Sequence, residues 1–432
     1  IYACETCNIP YVLAGSIRDD GPLPEIIANV YEAQDRMRTH TRKATTVITL
    51  ATQLQSIAVG NMTPSYQVKK DGSVRPVFFY IVDETQIGKE RFLIKELSSR
   101  FSESERYGIP VHYTTSYFDD LTYRISGNEL RTAMGSDCVI VGGGLPSGYS
   151  HEVPQEGQFI DEFGLRMERG PLYMQAVEAP LRNASSVQDV RNHPFPDPYA
   201  PGRFEDARSI TEKFRDQYAV IGDVEWGLFE MSWFLTGMEK FLFDLSMGED
   251  YVEVLIDSLK AWSIGIARQL LDVGVDVLWF GDDFGSQTGM LISPEMWRRI
   301  FKPRYAEMWQ EVKSQNPEII IAYHCDGAVS PILGDLADIG MQVFNPVQPG
   351  VPGHEPQELK DRFGDRIAFW GAIDQQALLP HGPAEAIQAA VAERIRILGE
   401  GGGYLCSPAH IIQADVSMEH VEAFIAAVRD PD

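Results

Sequence analysis

From about residue 109 to the end of the chain, short runs of β-branched and aromatic residues alternate with longer segments whose apolar positions recur at helical spacing. The runs predict strands at Ile109–Tyr113, Asp137–Val141, Tyr218–Ile221, Val275–Phe280, Glu318–Tyr323, Met341–Phe344, Arg366–Phe369 and Gly403–Cys406. Between them the periodicity predicts helices over Gly237–Ser246, Tyr251–Val273, Pro294–Ser314, Ser330–Ile339, Pro383–Leu398 and Met418–Val428. The third helix starts cleanly, because Ser293 can cap it and Pro294 suits the first turn. Strand–helix alternation implies a parallel sheet, and eight units fit a (β/α)8 barrel better than an open doubly wound sheet, which usually has fewer strands. Pro146–Ala207 is too long and too rich in Pro, Gly and acids for a minimal barrel unit, so it is expected to be an insertion over one face.

Residues 1–83 follow another pattern. Tyr11–Ala14 is strand-like, Asp19-Asp20-Gly21-Pro22 is a turn, Pro24–Thr41 is helical, and Val47–Leu50 and Val77–Val82 are further strands. One or two βα units cannot bury two sheet faces alone. The expected organisation is a partial α/β segment over 1–83 followed by a barrel over 84–432.

Composition narrows the partners. The 432 residues are 44% hydrophobic and 23% charged, which excludes general disorder, and a formal net charge of -25 with no long Lys/Arg run argues against nucleic acid. The longest apolar stretches are strand-sized, too short to cross a membrane. Five cysteines at 4, 7, 138, 325 and 406 form no secreted disulfide framework, so a cytoplasmic protein is expected. The first residue is Ile1 and no charged leader precedes an apolar run, so the N-terminus reads as cut rather than initiated.

Two resemblances meet in the chain. Tyr11 to Pro24, Glu32-Ala33-Gln34 and Ala58 to Ser65 resemble the archaeal-type, NAD-dependent ornithine cyclodeaminases, also labelled a lysine-ketoglutarate reductase/saccharopine dehydrogenase conserved region. That resemblance implies a fragment of a Rossmann-type domain with nucleotide contacts from Asp19, Asp20 and Asn61, an arrangement that suits an anion at a helix N-terminus. Since the rest of such a domain is missing, NAD is not expected as a working cofactor and these loops are expected to be vestigial.

From about Glu84 onward the chain resembles the uroporphyrinogen decarboxylase superfamily. Carrying that resemblance are Gly88-Lys89-Glu90-Arg91-Phe92-Leu93, Asp161-Glu162-Phe163-Gly164, Pro196-Asp197-Pro198, Phe229 to Glu239, Gly281-Asp282-Asp283-Phe284-Gly285, Asn345-Pro346-Val347-Gln348 and Pro408-Ala409-His410-Ile411-Ile412-Gln413. The true decarboxylases resemble one another in an arginine-bearing loop after the first barrel strand. Here Thr114 to Asp120 carries two acids and no arginine, so a polycarboxylate substrate would be repelled and porphyrin-type carboxy-lyase activity is only the alternative reading.

The corrinoid-linked methyltransferases are the sister branch, and the resemblance to them implies zinc, bound by His-x-Cys at one strand end and a second Cys near the last strand. This chain offers Tyr323-His324-Cys325-Asp326-Gly327 and, later, His410. Residues two apart on a strand share a face, so His324 and Asp326 can converge while Cys325 points away. With His410 they make a nitrogen, oxygen, nitrogen set that leaves a position open, acceptable for catalytic zinc. Cys325 and Cys406 are the alternative ligands. Asp282 and Asp283 follow the fourth predicted strand, and Glu230 follows the third; these three are the expected catalytic carboxyls, with one of the aspartates open to a loop-capping role.

The expected activity is therefore methyl transfer between a small methylated substrate, of methoxy-arene or methylamine type, and a corrinoid. The corrinoid is expected on a partner protein, because no Asp-x-His-x-x-Gly motif occurs in this chain. A homodimer and a non-catalytic, ligand-binding barrel remain open on the sequence.

Overall fold

The computed structural model of the protein describes residues 36, 46–50, 66–68, 74–76, 78–82, 127–129, 131–132, 134–155, 157–169, 174–224, 227–413 and 415–430. The chain divides into two compact units, Ile1–Tyr107 and Gly108–Asp432. The expected boundary at 83/84, the first expected barrel strand Ile109–Tyr113, and Asp19, Asp20 and Asn61 all lie outside the described residues.

In the first unit, β1 (Thr46–Leu50) runs parallel to β4 (Phe78–Val82), with Thr46 beside Phe78. Strands β2 (Tyr66–Val68) and β3 (Val74–Pro76) form an antiparallel pair. The expected strand over Val77–Val82 is described over Phe78–Val82, and the pair before it was not foreseen.

The second unit is built on seven parallel strands: β5 (Cys138–Gly142), β9 (Ala219–Asp223), β10 (Val277–Gly281), β11 (Ile320–His324), β12 (Val343–Val347), β13 (Ala368–Ile373) and β14 (Tyr404–Pro408). Spatial order follows chain order, as successive right-handed crossovers require. The sheet curls. Trp279 on β10 and Trp370 on β13 have ring centroids 5.1 Å apart although two strands separate them in the sheet. A flat sheet would hold those strands roughly 14 Å apart. Ile140, Ile221, Trp279 and Ala322 pack together inside the curl. This is the barrel-type fold that the alternation predicts, with seven of the eight expected strands among the described residues.

Helices cover the outside. The longest, α5 (Asp250–Val273), buries Leu255, Leu259, Ile266 and Leu270 along one stripe, each contributing about 1.5–3 kcal/mol. The predicted helix over Pro294–Ser314 is two helices, α6 (Pro294–Ile300) and α7 (Lys302–Gln315), because Pro303 cannot continue the hydrogen-bond ladder across Phe301. Ser293 does cap α6, accepting a hydrogen bond from the amide of Met296. The insertion carries an antiparallel sheet of β6 (Gln158–Ile160), β7 (Arg166–Arg169) and β8 (Met174–Glu178), then α1 (Val187–Arg191) with a Ser186/Asp189 capping box. After it come α2 (Glu205–Phe214), α3 (Leu228–Thr236) and α4 (Met238–Met247). The outer layer is completed by α8 (Ser330–Asp338), α9 (Pro356–Phe363), α10 (Leu378–His381), α11 (Ala384–Leu398) and α12 (Met418–Arg429). Among the described residues no helix is long and apolar enough to cross a membrane.

Candidate metal centre

The sheet delivers the chemistry at its C-terminal edge, where β10, β11 and β14 give way to loops. Along β11 alternation holds: Tyr323 and Cys325 are fully buried in the helix-facing core, while His324 faces the interior of the curl. The amide of Phe284 donates to Cys325 Sγ at 3.3 Å, and burial pushes that thiol well up, so it is an inert core group. Cys406, the other alternative ligand, is half-buried within β14, and burial raises its thiol as well. Neither joins the cluster of side chains at the mouth.

That cluster is His324, Asp326 and His410, whose ligand-capable atoms all lie within 4.8 Å of one another. His410 Nε2 is 3.6 Å from one oxygen of Asp326, and His324 Nε2 is 3.9 Å from the other. The two imidazole centroids are 5.8 Å apart. The Nδ1 of His324 hydrogen bonds Asn345 Oδ1 at 2.7 Å, a partner that fixes the ring and makes Nε2 the atom presented to the mouth.

Two loops hold these residues in register. Asp326 donates its amide to Asp283 Oδ1 at 2.8 Å, and Gly327 donates its amide to Gln348 Oε1 at 2.8 Å. Gly285 and Gly327 let the backbones touch: a Cβ on Gly327 would lie 2.5 Å from the carbonyl carbon of Gly285, and Gly327 has a φ of +79°. Only glycine tolerates both demands.

The paired aspartates after β10 divide the work. Asp282, fully buried, turns into the helix layer and accepts from the amides of Phe229 (2.8 Å) and Glu230 (2.7 Å) and from the hydroxyl of Tyr305 (2.7 Å). It thus caps the first turn of α3, where carboxylate charge is favoured, and burial still lifts it to about 7. Asp283 faces the mouth, 3.8 Å from His324 Nε2. Burial, with Asp283, Asp282 and Asp326 nearby, raises the carboxyl of Glu230, on the first turn of α3, well above the ordinary carboxylate range. Burial also raises Asp283 and Asp326, against the pull of His324. For His324 burial favours the neutral ring, yet Asp326 and Asp283 outweigh it and lift the imidazole. Three carboxyls and two imidazoles thus converge at the mouth, an arrangement that suits a bound cation.

A cavity of about 590 Å³ reaches this cluster, with Trp279, Trp370, His324, Asn345 and His410 in its wall, and it spans from β5 to β14, the two edge strands. Sequence reasoning quoted Asn345 and Gln348 without giving them a task, and passed over Asp223, a buried acid at the C-terminal end of β9. The available signal was position: Asp223 ends β9, Gln348 follows β12 and Asn345 lies in the C-terminal part of β12, toward the edge where barrel sites form.

Comparison with known proteins agrees with this architecture. Residues 160–431 match the family described as uroporphyrinogen decarboxylase (URO-D), and residues 1–72 match the family described as arginine dihydrolase ArgZ-like, C-terminal, Rossmann fold. An ornithine cyclodeaminase of Methanopyrus kandleri is 56% identical over 66 residues, 15% of this chain and 16% of that protein. The chain therefore spans about one sixth of the length of the ornithine cyclodeaminases it matches. A uroporphyrinogen decarboxylase of Hahella chejuensis is 36% identical over 76 residues, 18% of this chain and 21% of that protein. Among solved structures, a methyltransferase from Methanosarcina mazei superposes with a TM-score of 0.55 at 18% identity, covering 80% of this chain and 99% of the other, which establishes the shared fold.

Proposed function

The chain belongs to the uroporphyrinogen decarboxylase (URO-D) family, and from that premise we propose that it transfers a methyl group between a small methylated substrate and a corrinoid held on a separate protein, with zinc bound in the barrel mouth. The observation that carries this reading is the convergence of His324, Asp326 and His410 within 4.8 Å. Two imidazole nitrogens and a carboxylate oxygen suit zinc and leave a coordination position for substrate. The Asn345 bond to His324 Nδ1 supplies the kind of outer support that ligating histidines need. Zinc, when bound, would act as a Lewis acid toward the heteroatom that gives up or accepts the methyl group.

The other side chains have separate tasks. Asp283 holds the Asp326 loop through the amide of Asp326. Asp282 fixes the start of α3 and so places Glu230. Glu230, whose carboxyl burial raises, would be the group to give a proton to a heteroatom that leaves with an electron pair. A polycarboxylate substrate would meet Asp283 and Asp326 as like charges, which weighs against carboxy-lyase chemistry on a porphyrinogen. Nothing in this reading uses the cyclodeaminase-like segment.

The test is direct. Zinc-loaded protein is mixed with methylated corrinoid protein and a panel of methyl acceptors, and the corrin absorbance is followed. A zinc-dependent spectral change with one acceptor, lost in His324→Ala, supports the reading; no change with any acceptor contradicts it.

A further inference from the structure

The outer face of α4 has no part in the site described above. Phe241 and Leu245 are buried on the inner side of this helix, whereas Phe243 and Met247, one turn apart, are 64% and 63% exposed. Residues four apart share a helix face, and the exposed Glu239 extends this stripe one turn earlier. Glu249 and Asp250, both exposed, follow just past Met247. The helix stands at the mouth of the barrel. Its successor α5 has 24 residues, about 36 Å against roughly 17 Å for a five-residue strand, and its far end leads straight into β10. The first turn of α5 therefore lies at the mouth end, where Lys240 of α4 donates to the Tyr251 hydroxyl at 2.8 Å and both bond Asp244. On the inner side the Phe241 ring is 5.6 Å from Phe229, and Phe229 is 4.7 Å from Phe284. Two ring contacts thus join α4 to the loop that carries Asp282 and Asp283.

From this geometry we propose that the outer face of α4 is where the corrinoid-bearing protein docks, seating an apolar patch bordered by Lys and Arg on Phe243 and Met247. The inference rests on the methyl-transfer reading above and names the surface its partner uses. A corrinoid carried on another protein has to bring its cobalt to the barrel mouth, so that protein must cover part of the rim, and α4 is rim. Phe and Met are enriched at the centres of protein interfaces, which a polar border surrounds. Here the border is acidic, from Glu239, Glu249 and Asp250, and it selects a basic partner surface. The same acids, on a chain of net charge -25, repel nucleic acid and an anionic lipid surface. A second copy of this chain seated face to face would bring like charges together.

The experiment uses the full-length, zinc-loaded protein and two probes: an amphipathic helical peptide of Leu and Lys, with a Leu and Glu peptide as its control, and a purified, methylated corrinoid protein carrying the Asp-x-His-x-x-Gly motif. Calorimetric titration is expected to show the Lys peptide binding at least roughly tenfold tighter than the Glu peptide. The double variant Phe243→Glu, Met247→Glu is expected to weaken both the Lys peptide and the corrinoid protein roughly tenfold. Because this variant adds negative charge, unspecific attraction for Lys would rise in it rather than fall. Both positions are exposed, so its thermal midpoint and zinc content should stay those of the unmodified protein. Equal binding of the two peptides, or undiminished binding of either probe by the double variant, would overturn the inference. A dimer of the unmodified protein in light scattering that the double variant dissociates would overturn it too, since a second copy would then hold the face. Zinc-dependent methyl transfer with the corrinoid protein at unaltered affinity in the double variant would overturn the inference and leave the proposed function standing. Binding of the corrinoid protein that the double variant loses, without methyl transfer to any acceptor, would do the reverse.

Discussion

The backbone amide of Asp326 donates to the carboxylate of Asp283 at 2.8 Å, tying the loop after β10 to the loop after β11. This bond sets where the Asp326 carboxylate points, so Asp283 governs the metal-capable cluster without having to belong to it. Asp283→Ala leaves that amide without its acceptor, at about 1–3 kcal/mol. We expect zinc affinity to fall roughly 10- to 100-fold, while Asp283→Asn, which keeps an oxygen acceptor, retains most of it. Zinc competition with a chromophoric chelator measures both.

Asn345 fixes the ring of His324 from the next strand. Asn345→Ala should lower zinc affinity roughly 10- to 100-fold with little change in the thermal midpoint. Equal loss of stability and affinity would mean that Asn345 acts through folding alone.

Gly327 combines a φ of +79° with a backbone contact that a methyl group cannot enter. Gly327→Ala should destabilise the fold by about 3 kcal/mol or more, since strain and overlap add. Thermal melts read the cost. A melt like that of the unmodified protein would show that the two loops can separate freely.

Much of this was legible in the sequence, and the errors have a direction. Strands predicted at Tyr218–Ile221, Glu318–Tyr323, Met341–Phe344 and Arg366–Phe369 occur at Ala219–Asp223, Ile320–His324, Val343–Val347 and Ala368–Ile373. Every C-terminal end was placed too early. A buried parallel strand announces itself by apolar residues, and the predicted runs stop where Gly222-Asp223, His324, Asn345 and, just after Trp370, Gly371 interrupt that signal although the strands continue or end there. The same bias hid Asn345 and Asp223 as site residues. His324 and Asp326 were readable because a two-residue spacing on a strand fixes their common face, whereas His410 had to be brought in by resemblance. For Asp282 the sequence offered only the option that one of two acids caps its own loop; its capping of α3 was not foreseen, since Tyr305 and the α3 amides that claim it are distant in the chain. The insertion's sheet was missed because β6 and β7 are three and four residues long, below the reach of a periodicity argument.

Asp161 gives the stability a pH dependence. Burial lifts its carboxyl from the ordinary 3.8 to about 7, although the amides of Phe163 and Leu165 donate to it at 2.9 and 2.8 Å. With the folded value above the unfolded one, the folded state binds the extra proton between these limits. Stability is therefore greatest below pH 4 from this group and is lost as pH rises to about 7, by on the order of 4 kcal/mol at most. Both amides bond to the same oxygen, so Asp161→Asn can keep both bonds and lose the titration. Denaturant midpoints should then fall less between pH 5 and pH 8 in Asp161→Asn than in the unmodified protein. Identical slopes would contradict the assignment.

The central claim, that His324, Asp326 and His410 hold one metal, is tested most directly by elemental analysis of protein loaded with zinc and dialysed against a weak chelator. The account predicts a single zinc per chain in the unmodified protein and its loss in His324→Ala, Asp326→Asn and His410→Ala, each retaining a cooperative melt because rim residues add little to the packed layers. Full zinc retention in the two histidine variants, or no zinc taken up by the unmodified chain, would contradict it.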